Sequence, residues 1–218
     1  MRTLKEIVVG LRTDKEQPHG YLDIYEEKFG LCREDVKNVL EIGIATGDSL
    51  LMWAEYFPNA IIHGFDIQDV DVEHERVKTY ICDQTNEEDM RIKGETITDL
   101  YGKFDIIIDD GGHTMEMHQK SLKVLFPFVS CEGMYVIEDL HTCYGNHKEL
   151  YGYEVIKEGD TPTIDVLKWL QSPTEAENDY STNYIDVQAM KTLWWKTRWL
   201  WIGKGHKSEI AFICKDEN

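Results

Sequence analysis

The stretch Phe104-Asp105-Ile106-Ile107-Ile108-Asp109-Asp110-Gly111-Gly112-His113 runs from an apolar block into two carboxylates, two glycines and a histidine, and Met134-Tyr135-Val136-Ile137-Glu138-Asp139-Leu140-His141 repeats the pattern. A strand buried on both faces reads as continuous Ile and Val, and open α/β sheets bind ligands beyond the carboxyl ends of such strands. The acids therefore stand where a parallel sheet does chemistry. If the two strands are neighbours, about 4.8 Å apart, their terminal carboxylates repel one another unless a cation is shared. An all-oxygen set with histidine outside it suits magnesium, or another hard divalent ion, better than zinc.

Outward from these two strand ends, strand-like runs alternate with helix-like ones, the pattern of a parallel sheet with crossover helices. The runs 36–42, 60–66, 77–82, 104–109 and 134–138 are the expected core strands. Asp48-Ser49 offers an N-cap to a helix reaching about Phe57, ended by Pro58-Asn59, and Met115–Leu125 reads as a helix closed by Pro127. Segment 20–30 predicts a short amphipathic helix, 164–170 another, and 199–202 with 209–214 a closing antiparallel hairpin around Gly203-Lys204-Gly205. An acidic loop is expected at 175–179, and 180–198 carries no assignable pattern.

The length of 218 residues, with 42% hydrophobic and 11% aromatic content, fits one globular domain with a sizeable core. A net charge of −18 argues against a nucleic-acid partner, because phosphate binding needs Lys and Arg. No apolar run approaches the roughly 20 residues of a membrane span. The start, Met1-Arg2-Thr3-Leu4-Lys5-Glu6, shows no signal-peptide core, so no membrane partner and a cytoplasmic location are expected. Five cysteines without a C-x-x-C pair read as reduced thiols rather than as a zinc knuckle or disulfide frame.

At the end of the first strand, Glu41-Ile42-Gly43-Ile44-Ala45-Thr46-Gly47 opens a helix, where glycines admit a ligand to the backbone and the helix N-terminus faces it. Asp66 ends the next strand at the spacing of about 20 residues at which a carboxylate accepts from ribose hydroxyls. Asp83, ending the third, could reach an adenine edge. The E-x-G-x-x-x-G pattern resembles the S-adenosylmethionine motif of class I methyltransferases, with Ala45 where the commonest version has a third glycine.

The resemblance sharpens when Thr13-Asp14-Lys15, His19-Gly20-Tyr21, Tyr25, Val39-Leu40-Glu41-Ile42-Gly43, Gly47-Asp48-Ser49-Leu50, Met52-Trp53, Phe57-Pro58-Asn59-Ala60, Asp109-Asp110-Gly111-Gly112-His113 and Val136-Ile137-Glu138-Asp139 are taken together. This set is similar to the metal-dependent macrolide-sugar (mycinamicin-type) O-methyltransferases, with cephalosporin-hydroxylase-type methyltransferases as relatives, over about residues 13–145. The resemblance implies a three-layer class I methyltransferase (Rossmann-like) α/β fold, mostly parallel with a C-terminal antiparallel hairpin, in a single domain over 1–218. Within it, 1–35 would be an N-terminal helical cap, 36–145 the cofactor and metal core, and 146–218 a part carrying substrate or oligomer elements. It further implies magnesium on Asp110, Glu138 and Asp139, His113 as general base, and Glu41, Gly43, Ser49, Asp66, Asp83 and Asp109 around S-adenosylmethionine. The family usually has Gly-Ser before the histidine, where this chain has Gly111-Gly112.

The implied activity is transfer of a methyl group to a sugar hydroxyl of a glycan, nucleotide sugar or glycosylated metabolite. A catechol-type small-molecule methyltransferase and a non-catalytic cofactor-binding partner module stay open as alternatives, because fold alone decides none of them. Tyr21, His141 and Thr142 are further candidates to touch substrate. The segment 187–208 holds Lys191, Lys196, Arg198, Lys204 and Lys207 and no acid, beside Trp194, Trp195, Trp199 and Trp201. Such a face would receive a sugar-linked diphosphate or an acidic patch of another subunit in a homo-oligomer, or simply be solvated.

Overall fold

Each of the five expected core-strand runs contains a strand. A computed structural model, describing residues 1–145, 147–172 and 179–216, places β1 (Asn38–Ile42), β2 (Ile61–Asp66), β3 (Val77–Ile81), β4 (Phe104–Asp109) and β5 (Val129–Ile137) in parallel pairings. β6 (Thr197–Lys204) and β7 (Glu209–Lys215) are the expected antiparallel hairpin, and the seven-stranded order is β3-β2-β1-β4-β5-β7-β6. The chain reverses its direction of winding between β1 and β4, so a crevice opens at their carboxyl ends. β5 begins at Val129 rather than Met134, because the register shifts beside Phe104 and Glu132 bends outward at φ +61°.

Helices cover both faces. α1 (Leu4–Ile7), α2 (Leu22–Phe29) and α3 (Asp48–Tyr56) pack on one side, where Tyr25, Phe29, Trp53, Phe57 and Phe212 form a buried aromatic nest against Val39, Ile106, Ile108 and Val136. α4 (Glu87–Tyr101), α5 (Met115–Leu125), α7 (Thr163–Gln171) and α8 (Val187–Lys196) cover Leu40, Ile42, Ile107, Tyr135 and Ile137 on the other. Alternate strand residues thus feed two cores, the three-layer arrangement expected. The short α6 (Lys148–Tyr151) lies beside the crevice.

Two helices carry weak sequence signals. α4 buries Met90, Gly94 and Ile97, a thin apolar stripe in a charged helix held by an Asn86 cap and an Arg91–Glu95 ion pair of 2.5 Å. α8 falls in the unassigned 180–198 segment and starts on an Asp186 cap whose carboxylate accepts from Ala189 N at 2.8 Å. Of the acidic loop at 175–179, residues 175–178 lie outside the described residues. The basic stretch is partly neutralised by acids from elsewhere: Lys191 meets Asp179 at 2.6 Å, Lys204 meets Glu209 at 3.9 Å, and Arg198 meets Glu132. Among the described residues no helix is long and apolar enough to cross a membrane.

The loop before α2 and the tip of the β6–β7 hairpin close on each other. His206 N donates to His19 O at 2.6 Å, and a Cβ on Gly20 (φ +73°) would stand 2.6 Å from the His206 ring. This contact carries residues 12–21 over the carboxyl ends of the sheet.

Candidate active site

β4 and β5 are hydrogen-bonded neighbours with Asp109 level with Ile137, and Glu138 N donates to Asp109 O at 3.0 Å. The two acidic ends therefore meet. Consecutive residues of an extended chain point opposite ways, and each acidic pair splits between different surroundings.

Asp109 points down into the protein. It is fully buried and accepts from Gln84 Nε2 at 2.7 Å, from Tyr135 OH at 3.2 Å and from Ser121 Oγ. Burial pushes its carboxyl up to about 6 against those hydrogen bonds. Asp110, next in the chain, lines the crevice. At the other strand end Glu138 meets Lys15 Nζ at 2.6 Å and Tyr25 OH at 2.5 Å. Asp139 accepts from Tyr21 OH at 2.9 Å and stands 3.1 Å from His19 Nδ1 and 3.7 Å from His113 Nε2.

His113 and Asp139 share an uncommon backbone state, at φ +57° and +55°. A non-glycine residue there costs on the order of 1–2 kcal/mol, and such strain persists where the surrounding structure fixes it. It turns both side chains toward Asp110: one ligand atom from each of Asp110, His113 and Asp139 lies within 4.8 Å of the others. That spacing suits a shared cation, and Glu138, the third carboxylate that the sequence resemblance implied, stands beside them turned to Lys15 and Tyr25.

The electrostatics fit a cation-seeking site. Burial raises the carboxyl of Asp110 well above the ordinary value; Glu138 adds to the shift and Lys15 opposes it. Burial raises Glu138 too, against Lys15. The Lys15 ammonium is fully buried, yet Asp110, Glu138 and Glu41 overcome the burial cost and hold its pKa well above normal. Burial lowers His113 below the ordinary imidazole value with Asp139 opposing, so the ring is neutral at neutral pH and its buried Nδ1 has no hydrogen-bond partner.

Beside this group lies a cleft of about 530 Å³, lined by Gly43, Ala45, Asp66, Asp83, Gln84, Asp110, His113 and Tyr153 among others, a size suited to a nucleotide-like ligand. Gly43 sits at φ +79°, and a Cβ there would come 2.2 Å from Asp110 O, so the first turn needs glycine for close packing against β4. Ala45, at the site of the usual third glycine, takes φ +44°. Asp66 is oriented by three backbone amides, Ile44 N at 3.0 Å, Ala45 N at 3.2 Å and Gln68 N at 2.9 Å. Asp83 accepts from Thr85 N at 2.8 Å and Oγ1 at 2.7 Å.

The remaining sequence candidates fall elsewhere. Glu41, Ser49 and Asp109 do not line the cleft: Glu41 faces Lys15 at 3.1 Å, Ser49 is buried in the first turn of α3, and Asp109 lies beneath the floor. Tyr21 and Thr142 are buried braces of Asp139, Thr142 through its Oγ1 to Asp139 O at 3.0 Å. His141 stands at the rim between Ser208 Oγ at 2.6 Å and Tyr151 OH at 3.2 Å. Gly112, where the family usually has serine, is explained by packing: a Cβ there would meet Met117 Sδ at 2.1 Å.

Sequence reasoning gave no role to Lys15, Tyr25, Gln84, Tyr151 or Tyr153. Lys15 and Tyr25 lie inside the quoted motif stretches, so a lysine beside predicted acids was a usable signal. Gln84 clamps the glycine turn, accepting from Gly112 N at 3.0 Å while donating to Asp109, and Tyr153 OH donates to Gly112 O at 2.7 Å. Nothing local in the chain marks Tyr151 and Tyr153.

This strand order, with the glycine-turn cleft across β1 and β4 and an antiparallel C-terminal hairpin, is the class I methyltransferase fold. No protein-family model matches the chain. Its sequence relatives are sugar O-methyltransferases. It is 36% identical over 140 residues to the 8-demethyl-8-alpha-L-rhamnosyl tetracenomycin-C 2'-O-methyltransferase of Streptomyces olivaceus, covering 61% of this chain and 36% of that protein. It is 38% identical over 134 residues to the mycinamicin VI 2''-O-methyltransferase of Micromonospora griseorubida, covering 58% and 33% respectively. The chain thus spans about a third of the length of these curated relatives. Among solved structures, a methyltransferase of the mycinamycin biosynthetic pathway in complex with Mg and SAH superposes with a TM-score of 0.73 at 28% identity, over 99% of this chain and 55% of the other. The same enzyme with Mg, SAH and mycinamycin VI gives 0.73 at 26% identity, over 99% and 55%.

Proposed function

We propose that this chain is an S-adenosylmethionine- and divalent-metal-dependent O-methyltransferase acting on a sugar hydroxyl of a glycosylated small molecule. The observation that carries the reading is the convergence of Asp110, His113 and Asp139, within 4.8 Å, at the edge of a nucleotide-sized cleft. It is supported by relatives named as sugar O-methyltransferases and by a structural neighbour that holds Mg and SAH.

The residues present fit both groups. Asp66, held by three amides, presents its carboxylate to the cleft for ribose hydroxyls, Asp83 stands at the next strand end for the base, and Gly43 keeps the floor free of side chain. Asp110 and Asp139 would hold magnesium or another hard divalent ion, with His113 beside them. When bound, the cofactor supplies the methyl group and the ion lowers the pKa of a coordinated hydroxyl.

The rest falls to the protein. A sugar hydroxyl is too weak an acid to ionise unaided, and His113, neutral because it is buried, takes its proton at Nε2, the nitrogen turned toward Asp139. Tyr21, His19 and Thr142 fix Asp139, and through it the direction of His113. His141, Tyr151 and Tyr153, from the elements after β5, form the wall against which the acceptor rests and water is excluded.

Incubating the protein with labelled cofactor, magnesium and a panel of glycosides, nucleotide sugars and catechols should give methylated glycosides. Chelation should stop transfer and added magnesium restore it. Transfer to catechols alone would replace the sugar reading, and cofactor binding without turnover on any acceptor would leave a cofactor-binding partner module.

A further inference from the structure

The turn between β4 and α5 opens with two glycines, whose peptide planes no side chain restrains. Both polar groups of Gly112 are nonetheless held. Gly112 N donates to Gln84 Oε1 at 3.0 Å, which fixes the Gly111–Gly112 peptide plane, and Tyr153 OH donates to Gly112 O at 2.7 Å, which fixes the Gly112–His113 plane. His113 leaves that second plane at φ +57°. A strained residue keeps such a conformation only where its surroundings over-determine it, and these two bonds act on the residue next to the histidine. Gln84 is buried, and its Nε2 donates to Asp109 Oδ1 at 2.7 Å and to Ser121 Oγ at 3.2 Å. A flipped amide would set oxygen against carboxylate and NH2 against N–H, so one orientation alone serves both partners. Space is equally tight: a Cβ on Gly111 would stand 2.1 Å from Gln84 Oε1. Tyr153 differs in having its ring 41% exposed. Both residues line the nucleotide-sized cleft.

We infer that Gln84 and Tyr153 are positioning residues for His113, and that a nucleotide ligand entering the cleft seats Tyr153 on Gly112, so that the imidazole is set in place when the cofactor is bound. The inference rests on the methyltransferase reading above, in which His113 takes the acceptor's proton. Gln84 directly follows Asp83, so one strand end serves both the ligand and the turn. A ligand filling the cleft covers the open side of the Tyr153 ring, and a hydrogen bond shielded from water is stronger than one in contact with it. Such coupling is reciprocal: the turn that the ligand steadies also raises the affinity for the ligand. The acceptor hydroxyl therefore meets a fixed imidazole only after the cofactor has entered.

Amide exchange over residues 110–114 and the His113 Cε1–H resonance, each recorded in magnesium buffer with and without S-adenosylhomocysteine, test this without reference to turnover. In the wild type the ligand should slow that exchange by about tenfold or more and leave a single sharp His113 line. Tyr153→Phe keeps the ring and removes the hydroxyl. It should bind S-adenosylhomocysteine about two- to tenfold more weakly by calorimetry, the range for one neutral hydrogen bond. It should also lose the ligand's protection of 110–114 and show a broadened or doubled His113 line. Gln84→Met should behave alike, and the double variant should lose little more than the worse single one, because both residues act on one turn.

Exchange over 110–114 that does not respond to bound ligand would overturn the inference, as would wild-type protection and a single His113 line in Tyr153→Phe. If Gln84→Met does not fold, Tyr153→Phe decides alone. Protection by the ligand, with no acceptor methylated in the panel above, would sink the methyltransferase reading and keep the clamp. A wild type that binds no S-adenosylhomocysteine would remove the cofactor reading. Faster ligand-free exchange in Tyr153→Phe than in the wild type would then keep the clamp on His113, and equal exchange would remove that too.

Discussion

At the end of β4 the first carboxylate, Asp109, is enclosed by three neutral donors from nearby elements, whereas at the end of β5 the first carboxylate, Glu138, is turned to an ammonium and a phenol from the far N-terminal segment. The second residues, Asp110 and Asp139, converge on His113. The same apolar-to-acid step therefore has two uses. Neutral donors hold Asp109 in place but leave its carboxyl raised to about 6, so it serves as an anchor for the Gly111-Gly112 turn through Gln84. The ammonium allows Glu138 to tie residues 12–25 to the sheet while the cluster stays charged.

The comparison is broken most severely where the two ends meet. His113→Ala should lower turnover by about 10²-fold or more while cofactor affinity holds, and the acidic limb of the wild-type pH profile should vanish with it. Single-turnover kinetics and calorimetry together separate these; a variant turning over at close to the normal rate would leave proton removal to solvent.

A smaller effect is expected at the anchor. Asp109→Asn puts an amide donor among donors and should cost about 1–3 kcal/mol of stability at pH 7, read from urea unfolding, with divalent affinity retained. If metal binding is lost while stability is unchanged, Asp109 belongs with the converging acids and the contrast between the strand ends is wrong.

The smallest effect concerns acid stability beneath the site. His118 on α5, one turn before Ser121, is fully buried with both ring nitrogens unpartnered, and burial lowers its pKa to about 3. A histidine depressed in the folded state gives stability that is complete above its unfolded pKa near 6.5 and is lost as pH falls from there toward about 3. Between pH 6.5 and 5.5 the loss is about 1 kcal/mol, because the unfolded histidine is already half protonated at the upper end. Asp109 works in the opposite sense, since a carboxyl raised to about 6 takes up its proton in the folded state first and gains stability from about pH 6 downward. His118→Phe should therefore flatten the fall in urea midpoint between pH 7 and 5.5. An unchanged slope would mean that the His118 ring is hydrated in solution.

Much of this molecule can be read from local pattern. The parallel strands announce themselves as runs rich in apolar β-formers, unbroken at Ile106–Ile108 and Met134–Ile137, α5 by the stretch that Pro127 closes, and the hairpin by its glycine tip. α4 and α8 were illegible because their buried stripes are narrow and their caps, Asn86 and Asp186, lie in polar surroundings without contrast. The C-terminal wall of the site, with Tyr151 at the end of the one-turn α6 and Tyr153 just beyond it, carries no periodic or motif signal, since aromatic residues in so short a stretch take their meaning from what they touch.

The sequence by itself determined that acids, glycines and a histidine would stand at the carboxyl edge of a parallel sheet, because backbone hydrogen bonding and the burial of Ile and Val set strand length and direction locally. It determined too that β1 would end in a glycine turn fit for a ligand. Only the tertiary structure decided which acid does what. Asp109 and Asp110, or Glu138 and Asp139, are chemically alike as neighbours in a chain. What separates them is the charge that folding brings alongside, and Lys15 arrives from more than 90 positions away, through a loop closure that no local pattern encodes.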